Sequence, residues 1–169
     1  MSDVGAGPAT GPDGLARCPW ALSAADYLTY HDEEWGRPVR DDAGMFERLS
    51  LEAFQSGLSW LTILRKREGF RSAFAGFDIE AVIGNARAAL GVPGGVAALV
   101  WSYAGDQDRA PVTLAEIPAS TPGSKALAKE LKRLGFTFTG PVTAYATLQA
   151  SGVVDDHLEL CFRRGAYRS

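Results

Sequence analysis

The chain has 169 residues, a formal net charge of −3, 46% hydrophobic and 22% charged residues. That profile suits one globular domain with its own core and excludes a disordered, fibrous or disulfide-stapled chain. Two cysteines and no basic leader followed by an apolar run point to a cytoplasmic protein. Gly95 to Ala104, the most apolar run, falls far short of the roughly twenty residues that cross a bilayer, so no membrane partner is expected. A weakly acidic chain does not advertise nucleic-acid binding, and any DNA contact must come from local patches. Arg65, Lys66, Arg67 and Arg71 form one, Lys125, Lys129, Lys132 and Arg133 a second, and Arg163, Arg164 and Arg168 a third. Each reads equally as a solvated helix face.

Residues 1–16 hold four glycines, two prolines and almost no large apolar side chains, so they are expected to be a disordered tail before a single domain over 17–169. Ser23 resembles an N-cap for a helix carrying Tyr27, Tyr30, His31 and Trp35. A second helix should begin near Asp41 or Asp42, with Met45, Phe46, Leu49, Ala53 and Phe54 as its apolar stripe and Gly57 as its end. Ser59 can cap a third, carrying Trp60, Ile63 and Leu64. A fourth runs from Asp78 through Ile79, Val82, Ile83, Ala86 and Leu90, with Gly84 and Asn85 in its middle as poor helix formers. Val96, Leu99, Val100 and Tyr103 make a fifth apolar face, and 105–111 a polar loop. Thr121 and Pro122 open a sixth helix that stops at Gly135, and Gly140 and Pro141 open a seventh that ends near Gly152. Asp155 should start a short last helix. No long run of period two occurs, and the expected class is all-α.

The complete cysteine and histidine inventory is Cys18, His31, His157 and Cys161. Placed on a helix, His157 and Cys161 would share one face, and two ligands from each end of the chain could close a tetrahedron. A Cys₂His₂ set closes a structural zinc site and leaves no open position for an activated water, which weighs against a zinc hydrolase. Composition alone leaves two unrelated thiols and two unrelated histidines equally open.

Three of the four tryptophans, Trp20, Trp35 and Trp60, fall within forty-one residues, together with Tyr27 and Tyr30. Without further evidence this is an aromatic core. Glu52 changes the weighing, because it lies three residues after Leu49 and seven after Met45, on the apolar face of its helix. A carboxylate there must be paired with an arginine, protonated or functional. An electron-rich cage with a carboxylate in its wall suits a flat, cationic, hydrogen-bonding ligand such as an alkylated purine.

At this point the strings Arg17-Cys18-Pro19-Trp20, Tyr27-Leu28-Thr29-Tyr30-His31-Asp32-Glu33-Glu34-Trp35-Gly36 and Leu51-Glu52-Ala53-Phe54-Gln55-Ser56-Gly57-Leu58-Ser59-Trp60 closely resemble the bacterial 3-methyladenine DNA glycosylase I family. The carboxy-terminal half agrees through Ile117 to Thr121, Leu134 to Gly140 and Val154 to His157. The resemblance implies a compact helical domain of the helix-hairpin-helix glycosylase superfamily that hydrolyses the N-glycosidic bond of flipped 3-methyladenine in alkylated double-stranded DNA, as a monomer. By the same resemblance Cys18, His31, His157 and Cys161 hold a structural zinc that ties the two ends of the chain together. Glu52 is then the catalytic and base-recognition carboxylate, and Trp20, Tyr27, Tyr30 and Trp60 surround the base. Trp35 packs beside the zinc. Leu58 reads either as an apolar wedge filling the vacated stack or as a hydrophobic staple.

One departure stands out. Phe77 to Ile83 runs directly into Gly84-Asn85-Ala86-Arg87-Ala88, whereas the family separates these strings by a helical hairpin that grips the DNA backbone. The resemblance therefore also implies a chain with its DNA-binding hairpin missing between Ile83 and Gly84. Such a chain is either a glycosylase with a weakened grip or a zinc-stabilised, glycosylase-like binding domain with little or no activity.

Overall fold

The computed structural model describes residues 6–55, 58–74, 80–105 and 109–167. Helix α1 (Ala25–Glu33) follows a 3₁₀ turn over Pro19–Ser23, and α2 (Asp42–Phe54), α3 (Trp60–Phe74), α4 (Glu80–Leu90), α5 (Val96–Trp101), α6 (Pro122–Arg133) and α7 (Pro141–Ala150) follow. The molecule is predominantly helical. The two-residue strands β1 (Ala9–Thr10) and β2 (Ala16–Arg17) pair antiparallel.

The caps explain most boundaries. Asp41 Oδ1 accepts from Gly44 N at 2.8 Å and starts α2, and Ser59 Oγ accepts from Thr62 N at 3.2 Å and starts α3. Thr121 and Ser124 form a reciprocal capping box at α6, with proline in its first turn. Ser23 behaves differently from the expectation. Its Oγ donates to Trp20 O at 2.6 Å inside the 3₁₀ turn, and Ala24 occupies the N-cap position of α1 without a side-chain bond. Gly57 and Asp78 lie outside the described residues.

Helix α2 is the central beam. Its Met45 and Leu49 join Val96 and Val100 of α5, Leu127 and Leu131 of α6, and Ala144, Tyr145 and Leu148 of α7 in one buried cluster. Each of these side chains is almost wholly removed from water, a burial of the kind that contributes about 1.5–3 kcal/mol per large aliphatic residue.

Three expectations need correction. Residues 6–16 are not a disordered tail, because the β hairpin is pinned by Arg17, whose guanidinium pairs with Asp13 at 2.6 Å and Asp32 at 2.8 Å. This anchor supplies what the glycine-rich stretch lacks in apolar surface; residues 1–5 lie outside the described residues. The class is accordingly helical with one short β pair, not strictly all-α. Lastly, residues after Asp155 form turns, not a helix. In a helix Glu159 N would bond to Asp155 O, but here it donates to Pro111 O at 2.9 Å, and Phe162 N donates to Ala16 O at 3.0 Å. The Asp155 carboxylate is also engaged, accepting from His157 N and Gly165 N. Long-range partners for these backbone groups defeat the local helix.

The middle of α4 is continuous through Gly84 and Asn85. Asn85 is buried there for a reason: its Nδ2 donates to Thr137 O at 3.1 Å, and its Oδ1 accepts from Thr137 N at 2.8 Å. It clamps α4 onto the loop between α6 and α7.

Candidate metal centre and base pocket

The four scarce ligands converge although they begin 139 residues apart in the chain. Cys18 Sγ, His31, His157 and Cys161 Sγ are all buried, and their ligand atoms lie within 4.8 Å of one another. Cys161 Sγ is 3.4 Å from His31 Nε2 and 3.6 Å from His157 Nδ1, and Cys18 Sγ is 4.0 Å from the same Nδ1. Each ring has its other nitrogen engaged. His31 Nδ1 lies 2.8 Å from Asp32 Oδ1, and His157 Nε2 lies 3.3 Å from Trp35 O. Since those outer partners accept, the inner nitrogens are left with free lone pairs, the arrangement that orients metal-ligating imidazoles.

Charge inside the cluster is unevenly shared. The hydrogen bond from Cys18 is the largest influence on the Cys161 thiol and holds it well below the usual thiol range. Cys18, which makes that bond and is buried, is pushed up. One thiolate and one thiol in a nest of imidazole lone pairs are ready to hold a divalent metal on losing a proton. Gly36 permits this packing: with φ +77, a Cβ there would lie 2.8 Å from His157 Nε2.

Trp20 and Trp35 roof this cluster. Trp35 stands 4.5 Å from the His157 ring and 6.2 Å from that of His31, and Trp20 lies 5.2 Å from both His31 and Trp35. On the other side of the two indoles is a cavity of about 380 Å³ lined by Trp20, Tyr27, Tyr30, Trp35, Glu52, Gln55, Trp60, Ala146 and Gln149. The five aromatics expected in one place are therefore together, and Trp35 faces both sites.

Glu52 reaches this cavity from α2 and is 8% exposed. The arginine expected as its alternative partner is spent elsewhere. Arg48 Nη1 donates to Glu34 Oε2 at 3.3 Å, where Arg67 also binds. Burial pushes the Glu52 carboxyl up to about 8, with only a partial opposing pull from Arg48. Tyr30 is equally enclosed, and its hydroxyl has no hydrogen-bond partner among the described residues. Burial raises its pKa. Tyr27 is held in register because its hydroxyl accepts from Leu61 N at 3.1 Å, at the start of α3. The cavity thus presents π faces, a neutral carboxyl and an unsatisfied hydroxyl, a combination with nothing to do in a core.

Gln55, Ala146 and Gln149 line the cavity without having been foreseen. For α7 no sequence signal existed, because Ala146 and Gln149 are distant from the aromatic strings and unremarkable in type. Leu58, next to the pocket's helices in sequence, is 49% exposed. The first basic segment is largely neutralised, with Arg65 paired to Asp26, Arg67 to Glu34 and Arg71 to Glu47 and Glu68, while in the others Arg133 pairs with Glu130 and Arg164 with Asp155.

These features define a helical domain with a closed, four-donor Cys/His cluster abutting an aromatic, carboxyl-bearing pocket. The chain belongs to the methyladenine glycosylase family, whose sequence model matches residues 20–83 and 78–164. It is 39% identical over 181 positions to DNA-3-methyladenine glycosylase 1 of Escherichia coli K12, covering 87% of this chain and 96% of that one. To the DNA-3-methyladenine glycosylase of Haemophilus influenzae it is 37% identical, with 86% and 96% covered. A crystal structure of 3-methyladenine DNA glycosylase I superposes with a TM-score of 0.81 at 38% identity, covering 88% of this chain and 99% of that one. The Staphylococcus aureus enzyme, solved to explain 3-methyladenine recognition, gives 0.79 at 30%, covering 88% and 96%.

Proposed function

We propose that this protein is a monofunctional DNA-3-methyladenine glycosylase of base excision repair. The observation that carries the reading is Glu52, a buried carboxyl with no ion-pair partner among the described residues, in the wall of an aromatic pocket. Methylation at N3 makes the adenine cationic, so the base is already a good leaving group and recognition matters more than acid catalysis. Glu52 gives up its proton when the cation enters, and the resulting carboxylate complements it while Trp20, Tyr27, Tyr30 and Trp60 enclose the ring. Water adds at the sugar C1′ as the C1′–N9 bond breaks. The bonding pair goes to the base and cancels its charge, and the water's proton leaves to solvent. Two solved relatives, one of them bound to 3-methyladenine, carry substitutions at a tyrosine and a glutamate whose numbers differ by 22, as those of Tyr30 and Glu52 do. Incubation with methylated duplex DNA should release free 3-methyladenine, and Glu52→Ala should abolish it. Release no greater than from that variant overturns the reading.

The metal in the Cys18, His31, His157 and Cys161 cluster is zinc in this reading, because two thiols, two imidazoles and full burial are its structural donor set. It supplies cross-linking, not chemistry, and all steps above are carried by the pocket. Leu58, exposed at the start of α3, serves as the wedge that fills the stack after extrusion of the nucleotide.

A second reading, a binding domain with weak or no activity on DNA, is favoured by one observation. The 86% of 169 residues aligned to the H. influenzae protein amounts to about 145, spread over 180 positions, so some 35 face gaps. The family match also breaks at residue 83, within α4, and a second match starts from residue 78. Loss of a backbone-gripping hairpin there weakens duplex binding while sparing the base pocket. Binding of free 3-methyladenine without release from DNA, cured by restoring the hairpin between Ile83 and Gly84, selects this reading.

A further inference from the structure

Behind the pocket stands a buried carboxylate that the chemistry above does not use. Asp156 is 5% exposed, and its Oδ2 accepts from Tyr145 Oη at 2.5 Å and from Gln149 Nε2 at 2.7 Å. Tyr145 is part of the helical core, and Gln149 lines the cavity. Both donors come from α7, one turn apart, and one oxygen collects both.

An amide side chain is ambiguous by itself, since its oxygen and nitrogen occupy similar space. A carboxylate removes the ambiguity, because it can only accept, and so the group facing Asp156 must be the NH₂. The other end of the Gln149 amide is then a carbonyl. No donor among the described residues is hydrogen-bonded to its Oε1. Gln149 therefore brings to the cavity an oriented acceptor that has no protein partner among the described residues.

We propose that Gln149, locked by Asp156, is a specificity-determining residue that selects a purine carrying an amine at position 6 over one carrying a carbonyl there. An exocyclic amine offers a hydrogen to Oε1. A carbonyl in that place sets two acceptors against each other, a situation that discriminates more strongly than the loss of a favourable contact. Asp156 is a positioning residue, acting through the amide alone. This inference rests on the base-pocket reading, but it assigns the choice between bases to a residue outside the aromatic cage.

The test uses free bases, so that DNA engagement plays no part. Affinities of the full-length protein for 3-methyladenine and 3-methylhypoxanthine, which carries a carbonyl where the first has its amine, are measured by tryptophan fluorescence. Wild type should favour 3-methyladenine. Gln149→Leu should reduce that preference about tenfold, the value of one directional hydrogen bond. Asp156→Asn lets the neighbouring amide donate to Oε1 and turn the Gln149 NH₂ toward the ligand, so the preference should fall further or reverse. Tyr145→Phe keeps the bond between Asp156 and Gln149, and should hold the ratio within about twofold while lowering the melting temperature. If Asp156→Asn fails to fold beside His157, Gln149→Leu still decides. A Gln149→Leu protein that binds 3-methyladenine with the wild-type ratio overturns the assignment. A wild type that binds neither base overturns the pocket reading, and the assignment with it.

Discussion

At Glu52 the fold holds a carboxyl where water would be the better host, and that has a cost with a definite sign. In the unfolded chain this group ionises near 4.5, and in the fold near 8. A raised carboxyl pKa means that the native state keeps a proton the unfolded state has lost, so the penalty is absent below about pH 4.5 and grows as pH rises toward 8. Glu52→Gln should therefore stabilise the empty protein by about 3 kcal/mol at pH 8 and by much less at pH 5.5, less than full linkage because the amide is itself poorly solvated there. Thermal melts of both proteins across that range check it, and a pH-independent difference sinks it. The same titration bears on turnover. Since the ionised form must face the cationic base, kcat/KM should rise from the acid side and level off above about pH 8, and the residual activity of Glu52→Gln should lack that limb.

Among the elements, α4 shows how a sequence rule can be right about propensity and silent about partners. Gly84 and Asn85 are both poor helix formers, and the pair reads as the seam of a lost segment. The structure separates them. A Cβ on Gly84 would meet nothing within 4 Å, whereas Asn85 holds the backbone of Thr137 through both ends of its amide. Gly84→Ala should consequently stabilise the protein by about 0.5–1 kcal/mol, and Asn85→Ala should destabilise it by about 1–3 kcal/mol, since it removes both hydrogen bonds that tie α4 to Thr137. Chemical denaturation of the two variants tests both, and effects of the same sign refute the separation. The six helices whose starts are described and carry a cap, a proline or an apolar stripe were legible because those signals are local. The turns after Asp155 were not legible, since their bonds to Pro111 and Ala16 link residues about 50 and 150 positions apart. The hairpin over 6–17 escaped for the same reason, its stability residing in the Arg17 pair with Asp32. At the site, the ligands and aromatic cage stood out by scarcity and density; Gln149, whose meaning depends on Asp156, did not.

On the scale of the molecule the pocket lies across a seam. One wall, Glu52 with Gln55, Ala146 and Gln149, belongs to α2 and α7, which are anchored in the main helical core. The opposite wall, Trp20 and Trp35, packs on a separate small cluster of Cys18, Leu158 and Cys161. Three buried residues, with Leu114, Ile117 and Phe162 packed around them, give little apolar surface to hold that wall, whereas a metal bound by two residues from each end of the chain would hold it directly. Helical content and base binding should then part company when the metal is removed. As purified, the protein should contain about one zinc per chain by atomic absorption. Stripping it with a strong chelator, or substituting Cys161→Ala, should lower the melting temperature by about 10 °C or more and redden tryptophan emission as Trp20 and Trp35 meet water. Far-ultraviolet circular dichroism should retain most of its helical signal, because the main core contains none of the ligands, while affinity for 3-methyladenine should fall at least tenfold. If binding and helicity are lost together, the seam does not exist as a mechanical boundary, and if neither changes, the four ligands hold no metal that matters to the pocket.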